Sequence, residues 1–354
     1  MTTQVDILPG MPDALEKVPP KAREYAALTL DEAIARSHAL IDEVAARFAP
    51  ETWLLLFSGG DDSSLLAHLV RSRMDRAVHI RTTIAIPQTA EYVEAVCAAW
   101  ELPLTWADPP NSYEDLVLGN VAPKTPEAKN STVWRGFPGP GAHDVMYQRL
   151  KEKALDEVRR SLVGKRGRAG QIAYVAGTRW SESDRRHRNA NEFDVDGAVV
   201  WVSPIVHWTE GHMREYRERY FCRAHHEHAP HMLCHPDALP QSEVAQNLHT
   251  SGDCKCGAFA HEGELEEIAF FYPEVAARIR ALQEKVKARG IPWCVWGAGK
   301  SAAPRDAANS APGRLCSSCV QIPGQTDLLD TWAASGLLTP AQRRALSSPG
   351  TVES

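Results

Sequence analysis

Two adjacent glycines in the first half of the chain are flanked by side chains that suit phosphate binding. The stretch Ser58-Gly59-Gly60-Asp61-Asp62-Ser63, called the glycine loop below, lies between the apolar run 52–57 and a helical pattern over 63–70. A phosphate site needs small residues that let the backbone approach the anion, successive inward N–H groups and a helix N-terminus. This stretch supplies all three, and Asp62 or Ser63 can cap the helix.

The glycine loop contains no lysine. It matches neither G-x-x-x-x-G-K-[ST] nor G-x-G-x-x-G, so an ordinary strand-to-helix turn is the alternative. A phosphate site would need cations from elsewhere in the chain, and the candidates are Arg149, Lys151, Arg179 and Arg186. Arg179 follows a predicted strand directly, at the edge where open α/β sheets bind ligands. Glu182 could orient Arg179, hold a metal ion or cap a helix.

The eight cysteines include two closely spaced pairs, and the four residues involved are Cys254, Cys256, Cys316 and Cys319. Four thiolates suffice for a tetrahedral Zn²⁺ or a [4Fe–4S] cluster, and the spacing does not decide between them. Cys234, Cys294 or a histidine of the stretch 225–235 could join the site. The alternatives are four unrelated thiols, or a cysteine that carries a persulfide.

The periodicity of the chain predicts the elements that must position these residues. Helices are expected over 30–48 and 90–100, and strands over 52–57, 77–86, 102–107 and 198–205, with a further buried strand in 171–180 that ends at Gly177. The order βαβαβ predicts an α/β fold with a doubly wound parallel sheet. After residue 208 His and Cys become dense and periodicity is lost, which predicts an irregular lobe. Helical patterns return over 264–290, with a break at Pro273.

These patterns divide the chain into four segments. We expect an N-terminal arm over 1–28, a nucleotide-binding domain over 29–216, a Cys-rich helical lobe with a metal site over 217–335 and a tail over 336–354. The sequence shows no membrane-spanning run and no signal-peptide pattern, so a cytoplasmic protein is expected. The net charge of −6 argues against a surface that coats nucleic acid, although basic patches occur at 165–168 and 185–188.

Five stretches resemble the N-type ATP pyrophosphatases and the PAPS reductase family. The glycine loop resembles the PP-loop motif S-G-G-x-D-S of these proteins, and "IPQTAEYV" (86–93) resembles their P-x-T-x-x-Y/F segment. "GTRWSESDRR" (177–186) is similar to G-x-R-x-x-E-S-x-x-R, and "SPIVHWTEGHMREY" (203–216) to the segment that closes the domain. The stretch 136–155 resembles a block of phage and actinobacterial members.

The resemblance implies a Rossmann-like fold of the adenine nucleotide alpha hydrolase type, and it implies a set of site residues. The implied catalytic residues are Asp62, Arg179, Glu182 and Arg186. The implied nucleotide contacts are Ser58, Gly59, Gly60, Asp61, Asp62, Ser63, Thr89, Gly177, Arg179 and Ser183. ATP and Mg²⁺ are the implied ligands, and family members that insert sulfur into DNA favour [4Fe–4S] over Zn²⁺. The negative charge of Asp61 beside a phosphate site is not explained by the motif.

The function expected from this resemblance is an ATP pyrophosphatase that adenylylates an acceptor for sulfur transfer. A nucleic acid or nucleobase is the expected acceptor, with a cysteine desulfurase as a possible sulfur donor and a homo-oligomer as a possible assembly. One alternative is a PAPS or APS reductase. The chain departs from that pattern, because it has "LCSSCVQIPG" (315–324) where reductases carry E-C-G-[LI]-H. A non-catalytic nucleotide-binding module is the third possibility.

Overall fold

The computed structural model describes residues 20–121, 134–164, 167–180, 191–221 and 237–298. Its centre is a six-stranded sheet with the order β3-β2-β1-β4-β6-β5. The strands are β1 Thr52–Leu56, β2 Arg76–Ile80, β3 Leu104–Ala107, β4 Ile172–Ala176, β5 Phe193–Asp196 and β6 Val199–Val202. All neighbouring strands pair in parallel except β5 and β6. The predicted doubly wound α/β fold is therefore confirmed.

The sequence did not predict β5, which forms an antiparallel hairpin with β6 at the edge of the sheet. Its residues, FDVD, are mostly exposed and give no apolar pattern. Gly197 has a φ of +56° in the turn between the two strands, a conformation that glycine adopts without strain. An edge strand of this kind forms ladder hydrogen bonds with one neighbour only. Its exposed side chains give no alternating apolar pattern from which the strand could be predicted.

Helices cover both faces of the sheet. They are α1 Pro20–Ala26, α2 Leu30–Phe48, α3 Asp61–Val70, α4 Pro87–Ala99, α5 Tyr113–Leu118, α6 His143–Tyr147, α7 Lys153–Val163, α8 Glu210–Tyr220, α9 Glu243–Leu248, α10 Glu264–Phe271 and α11 Pro273–Ala288. A π-helical turn, Gln148–Glu152, joins α6 to α7. Within the described ranges, no helix combines the length and the apolar character needed to cross a membrane.

Alternate residues of the central strand pack on opposite faces of the sheet. Leu55 joins the apolar cluster that contains residues of α2, α3, α4 and α8. Its neighbours Leu54 and Leu56 join the cluster formed with α7 through Ala154 and Leu155. The period of two within a continuous apolar run is what a strand covered on both faces requires. This double coverage fixes the end of β1, and with it the start of the glycine loop.

The second strand is shorter than its apolar pattern predicts. The pattern extends over 77–86, but β2 ends at Ile80. Ile84 and Ile86 instead pack into a third apolar cluster together with Tyr113 of α5 and Ile268 of α10. Residues 81–86 therefore form a connection that carries apolar side chains into the C-terminal helices. Burial of these side chains, rather than strand pairing, explains the long apolar run.

His68 connects α3 to α8 in the core beside the glycine loop. Its Nε2 lies 3.1 Å from the carbonyl oxygen of Asp237 and its Nδ1 lies 2.6 Å from the hydroxyl of Tyr216. Since a carbonyl only accepts, Nε2 carries the proton and Nδ1 accepts from Tyr216. Burial lowers the pKa of His68 to about 4, so the side chain is neutral in the folded protein at pH 7.

We therefore expect the free energy of unfolding to fall as the pH drops from about 6.5 towards 4. In the unfolded chain His68 binds a proton below about 6.5, whereas the folded chain resists protonation, so acid favours unfolding. Between pH 7.5 and 5.0 the loss due to His68 should be about 2 kcal/mol. Urea unfolding of the wild type and His68→Gln at both pH values tests this. An equal loss in both proteins would contradict it.

Candidate functional site

The glycine loop lies where the connections of the sheet change direction. From β1 the chain proceeds to β2 and β3 on one side, whereas β4 pairs with the other side of β1. The loops that follow β1 and β4 therefore meet at the carboxyl edge of the sheet. Crevices of this kind are the usual ligand sites of open α/β sheets.

The backbone of the glycine loop leaves the N-terminus of α3 without a side-chain cap. The predicted capping by Asp62 or Ser63 is wrong, because the helix starts at Asp61 and the capping position is Gly60, with no side-chain hydrogen bond. The Ser63 hydroxyl instead donates to the carbonyl of Gly60 at 2.9 Å and accepts from Ser58 at 3.0 Å. The first N–H groups of α3 are therefore left for an anion.

Two glycines allow close packing around this loop. Gly59 has a φ of +82°, and a methyl group on it would lie 2.9 Å from Cγ2 of Thr89. A Cβ on Gly177, directly after β4, would lie 3.1 Å from the backbone of Asp62 and Ser63. The end of β4 thus rests against the first turn of α3. A larger residue at Gly59 would push the glycine loop away from α4, and one at Gly177 would push the end of β4 away from α3.

An ion pair joins the two loops. Nε of Arg179 lies 2.8 Å from Oδ2 of Asp62, and the two side chains are only 9% and 16% exposed. Burial alone would lower the pKa of Arg179, but the carboxylates of Asp62 and Glu210 raise it, so the guanidinium stays charged. The sequence predicted Asp62 and Arg179 as site residues, and the structure brings them into direct contact.

Helix α8 adds two charged residues that the sequence analysis missed. Nη2 of Arg217 lies 3.3 Å from Oδ1 of Asp62 and 3.8 Å from Oδ2 of Asp61. Glu210 pairs with Nη1 of Arg179. Residues seven apart share one face of a helix, so the spacing of Glu210 and Arg217 was the available signal. The contact with Arg217 also gives Asp61 a partner outside the motif.

A loop formed by residues 249–261, called the cysteine loop below, lies against the glycine loop. The backbone of Ser251 is close enough that its Cβ would be 3.0 Å from a Cβ on Gly60, and Thr89 donates to its carbonyl at 2.8 Å. Hydrogen bonds from the N–H of Ile86 to Gly252 and from the N–H of Lys255 to Ile84 continue the contact. Thr89 therefore positions both loops.

Two buried ion pairs hold the cysteine loop in place. Nζ of Lys151, in the π-helical turn, lies 2.7 Å from Oδ2 of Asp253. Burial alone would raise the pKa of Asp253. The charge of Lys151 and the hydrogen bonds from Lys151 and Ser251 outweigh this effect, so the pKa lies below its ordinary value. Lys255 pairs with Glu264 of α10 at 3.0 Å, with both side chains less than 9% exposed. Lys151, one of the cations predicted for the phosphate site, therefore binds a carboxylate of the cysteine loop.

The two thiols of the cysteine loop differ in acidity. Both line a small cavity of about 60 Å³, together with His143, Tyr147, Lys151 and Glu264. A hydrogen bond from Cys256 lowers the pKa of Cys254 to about 7 against the opposing effect of burial, and Lys151 lowers it further. The hydrogen bond and burial raise the pKa of Cys256 well above its ordinary value. Cys254 is therefore the more reactive thiol.

The described residues supply part of the predicted metal site. Cys254 and Cys256 come together as expected, and a thiolate–thiol pair suits a soft metal ion. Within the described ranges, however, no three potential metal ligands form a group. The remaining predicted ligands, Cys316 and Cys319, lie outside the described residues, as does Cys234. Cys294 packs, partly buried, against the same apolar cluster as Cys254.

Several other predicted site residues also lie outside the described ranges, namely Glu182, Ser183 and Arg186. They follow Arg179 and Trp180, whose N–H donates to the carbonyl of Val206. The structure therefore places the glycine loop, Thr89, Gly177 and Arg179 in one site and makes no statement on the remaining three.

The family model described as "Phosphoadenosine phosphosulfate reductase domain" matches residues 52–225. The match contains the glycine loop, Arg179 and Arg217, and it ends before the cysteine loop. It confirms the resemblance inferred from the sequence motifs. No curated protein matches the chain.

A solved structure with a detectable likeness is the crystal structure of phosphoadenylyl-sulfate (PAPS) reductase from Candida auris in complex with phosphate. The sequence identity is 14%, and the alignment covers 54% of this chain and 84% of that chain, with a TM-score of 0.36.

Asp62→Asn should destabilise the protein by on the order of 2 kcal/mol, because it leaves two arginines with weaker partners in a partly buried site. Asp61→Asn is the matched control. That side chain is half-exposed and 3.8 Å from its arginine, so the expected change is below about 0.5 kcal/mol. Urea unfolding measures both, and equal stability of the two variants would show that the Asp62–Arg179 pair does not support the fold.

Iodoacetamide should alkylate Cys254 at a rate that rises with pH and is half-maximal below the ordinary thiol pKa, because the thiolate is the reactive form. Cys256 should react more slowly throughout this range. Mass spectrometry of the reduced, chelator-treated protein measures both rates. Cys256→Ala should move the half-maximal pH for Cys254 upward, since the hydrogen bond from the thiol of Cys256 is lost. Equal rates for the two cysteines in the wild type would refute the assignment.

Proposed function

Since residues 52–225 belong to the phosphoadenosine phosphosulfate reductase domain family, we propose that the chain binds an adenine nucleotide at the glycine loop and uses it in sulfur chemistry. The observation that carries the proposal is the uncapped N-terminus of α3 beside the Asp62–Arg179 pair. Backbone N–H groups and a buried, permanently charged guanidinium are what developing negative charge on phosphates requires.

The proposed reaction is adenylylation followed by sulfur transfer. An acceptor oxygen attacks the α-phosphorus of ATP, the bond to the bridging oxygen of the β-phosphate breaks, and pyrophosphate leaves. The terminal sulfur of a persulfide on a donor protein then attacks the acceptor atom that carries the adenylyl group, and AMP leaves with the oxygen. A thiol cleaves the resulting S–S bond between acceptor and donor, which leaves the sulfur on the acceptor and forms a disulfide that an external dithiol reduces. A nucleic acid or nucleobase is the proposed acceptor, and a cysteine desulfurase is the proposed source of the persulfide.

The residues of the chain have separate roles in this proposal. The glycine loop binds the phosphates through its backbone, and Arg179, oriented by Asp62, stabilises the charge that forms as pyrophosphate leaves. Both oxygens of the Asp62 carboxylate contact arginines, so Asp62 acts by positioning them. Asp61 is the half-exposed carboxylate of the loop, and it is the residue that would contact Mg²⁺ bound to the nucleotide.

A metal site at the cysteines is part of the proposal. Cys254 and Cys256 would supply two thiolates, and Cys316 and Cys319 would complete a tetrahedral zinc site or a [4Fe–4S] cluster. The cysteine loop contacts the glycine loop through Ser251, only three residues before Cys254. Three residues span at most about 11 Å, which limits how far Cys254 can lie from the contact between Ser251 and the glycine loop.

A PAPS or APS reductase is the second candidate, and the acidity of Cys254 favours it. In that reaction a thiolate attacks the sulfur of the adenylyl sulfate and releases the nucleotide, leaving a thiosulfonate on the enzyme. A second thiol then releases sulfite and forms a disulfide, which an external dithiol must reduce. This candidate requires one of the cysteines of the chain to replace the reductase motif that the sequence lacks.

The test is an anaerobic assay with two sets of substrates. ATP labelled at the α-phosphate is incubated with tRNA, DNA or nucleosides and a persulfide donor, and pyrophosphate and AMP are measured. Adenylyl sulfates are incubated with a dithiol, and sulfite is measured. Sulfur transfer predicts acceptor-dependent pyrophosphate and no sulfite, whereas a reductase gives the reverse. Tight binding of ATP without either product would indicate a non-catalytic module.

Arg179→Met should lower the turnover of the active substrate about 100-fold or more, because a preorganised charge facing the leaving group is lost. Glu218→Gln, an exposed change on α8, is the control and should leave turnover unchanged. Turnover of Arg179→Met within a factor of three of the wild type would exclude the proposed role of Arg179.

A further inference from the structure

In the described part of the chain, carboxylates occupy the arginine donors that a phosphate at the glycine loop would need. Among the described residues, the ion-paired group at the glycine loop has two arginines, Arg179 and Arg217, and three carboxylates, Asp61, Asp62 and Glu210. A phosphate that contacts one of these donors must compete with the carboxylate that already occupies it. The question is therefore which carboxylate can leave its arginine when phosphate binds.

The three carboxylates differ in how easily they can be moved. Asp62 is 16% exposed and contacts both arginines, so removing it from the site would leave buried charge without a partner. Asp61 forms the longest of these ion pairs, with 3.8 Å between its Oδ2 and Nη2 of Arg217, and none of the ion pairs of Arg179 in the group involves it. Glu210 is 70% exposed, and its contact with Nη1 of Arg179 is the outermost of the group. Water can replace Arg179 as its partner at little cost.

The guanidinium of Arg179 thus has two different contacts, a fixed one at Nε with Asp62 and one at Nη1 with Glu210 that a ligand can replace. Asp62 holds Nε from the direction of the core, and the packing of Gly177 against Asp62 and Ser63 fixes this arrangement. Nη1 points to the first turn of α8, where Glu210 binds it. A planar guanidinium that is anchored on one edge presents the other edge in a defined orientation, which suits an oxyanion.

We propose that the Nη1 edge of Arg179 is a phosphate subsite, and that Glu210 is a place-holding carboxylate that the phosphate displaces. The inference rests on the proposed function, since it assumes that the glycine loop binds a polyphosphate. Glu210 and the phosphate compete for the same donor, so Glu210 lowers the affinity for the ligand. After displacement the glutamate turns to solvent, and the site loses one negative charge as the phosphate enters.

A structural role for Glu210 makes a different prediction. Glu210 is the first residue of α8 after the capping residue Thr209, and an acidic side chain there stabilises a helix through its dipole. If that were its only role, replacing it would lower the thermal stability and leave ligand affinity unchanged. The competing-carboxylate role predicts a change in affinity instead.

The experiment measures binding of inorganic pyrophosphate and of ATP by isothermal titration calorimetry to the wild type, Glu210→Gln and Glu218→Gln. Glu218 is exposed on the same helix, and its substitution removes the same charge. Glu210→Gln should bind pyrophosphate about two- to fivefold more tightly than the wild type, as expected when a surface ion pair no longer competes. Glu218→Gln should bind as the wild type does.

Each other outcome overturns the inference. Unchanged or weaker binding by Glu210→Gln excludes competition, and an equal gain in both variants shows only a general effect of net charge. If the wild type binds pyrophosphate and Glu210→Gln shows no gain, the proposed function stands and this inference alone fails. If the wild type binds neither pyrophosphate nor ATP, both fail. Thermal unfolding of each variant verifies that it is folded.

Discussion

The ion pair between Asp62 and Arg179 is the interaction on which the candidate site depends. It joins the loop after β1 to the loop after β4, two strands that are neighbours in the sheet and more than a hundred residues apart in the sequence. Because both side chains are largely buried, neither can leave without a cost that exceeds that of a surface ion pair. The pair fixes the first turn of α3, whose capping position is Gly60 and therefore offers no side chain to the helix N-terminus. The uncapped N-terminus and the oriented arginine thus lie side by side.

The remaining parts of the site are attached to this centre by backbone contacts. Hydrogen bonds at Ile84, Ile86 and Thr89 join the cysteine loop to the segment that leads from β2 into α4. Thr89 also packs against Gly59. The buried Lys151–Asp253 pair adds a charge contact. The fold therefore holds the cysteine loop, which carries the two thiols, against the glycine loop through Ser251.

The glycine loop has no lysine, and this arrangement shows which other residues supply the positive charge of the site. A kinase-type loop carries its own cation, whereas here the positive charge comes from β4 and α8 and is balanced by carboxylates of the loop and of α8. The match of residues 52–225 to the model of the phosphoadenosine phosphosulfate reductase domain agrees with a nucleotide site of this construction. The cysteine loop lies beyond the matched region.

Local patterns in the sequence were enough to identify the family, the doubly wound sheet and the residues of the glycine loop, because buried strands, glycines and caps leave their mark within a few neighbouring positions. They also identified Arg179, since it directly follows a strand. They did not reveal the hairpin strand β5 or the short helices α5 and α9, which are too short or too exposed for a periodic signal. Only the tertiary structure showed that Arg217 and Glu210 face the loop, and that Lys151 binds Asp253 rather than the glycine loop. Partners of this kind are chosen by packing between distant segments. The spacing of Glu210 and Arg217 places both on one face of α8, but nothing in the sequence shows which distant residues that face contacts.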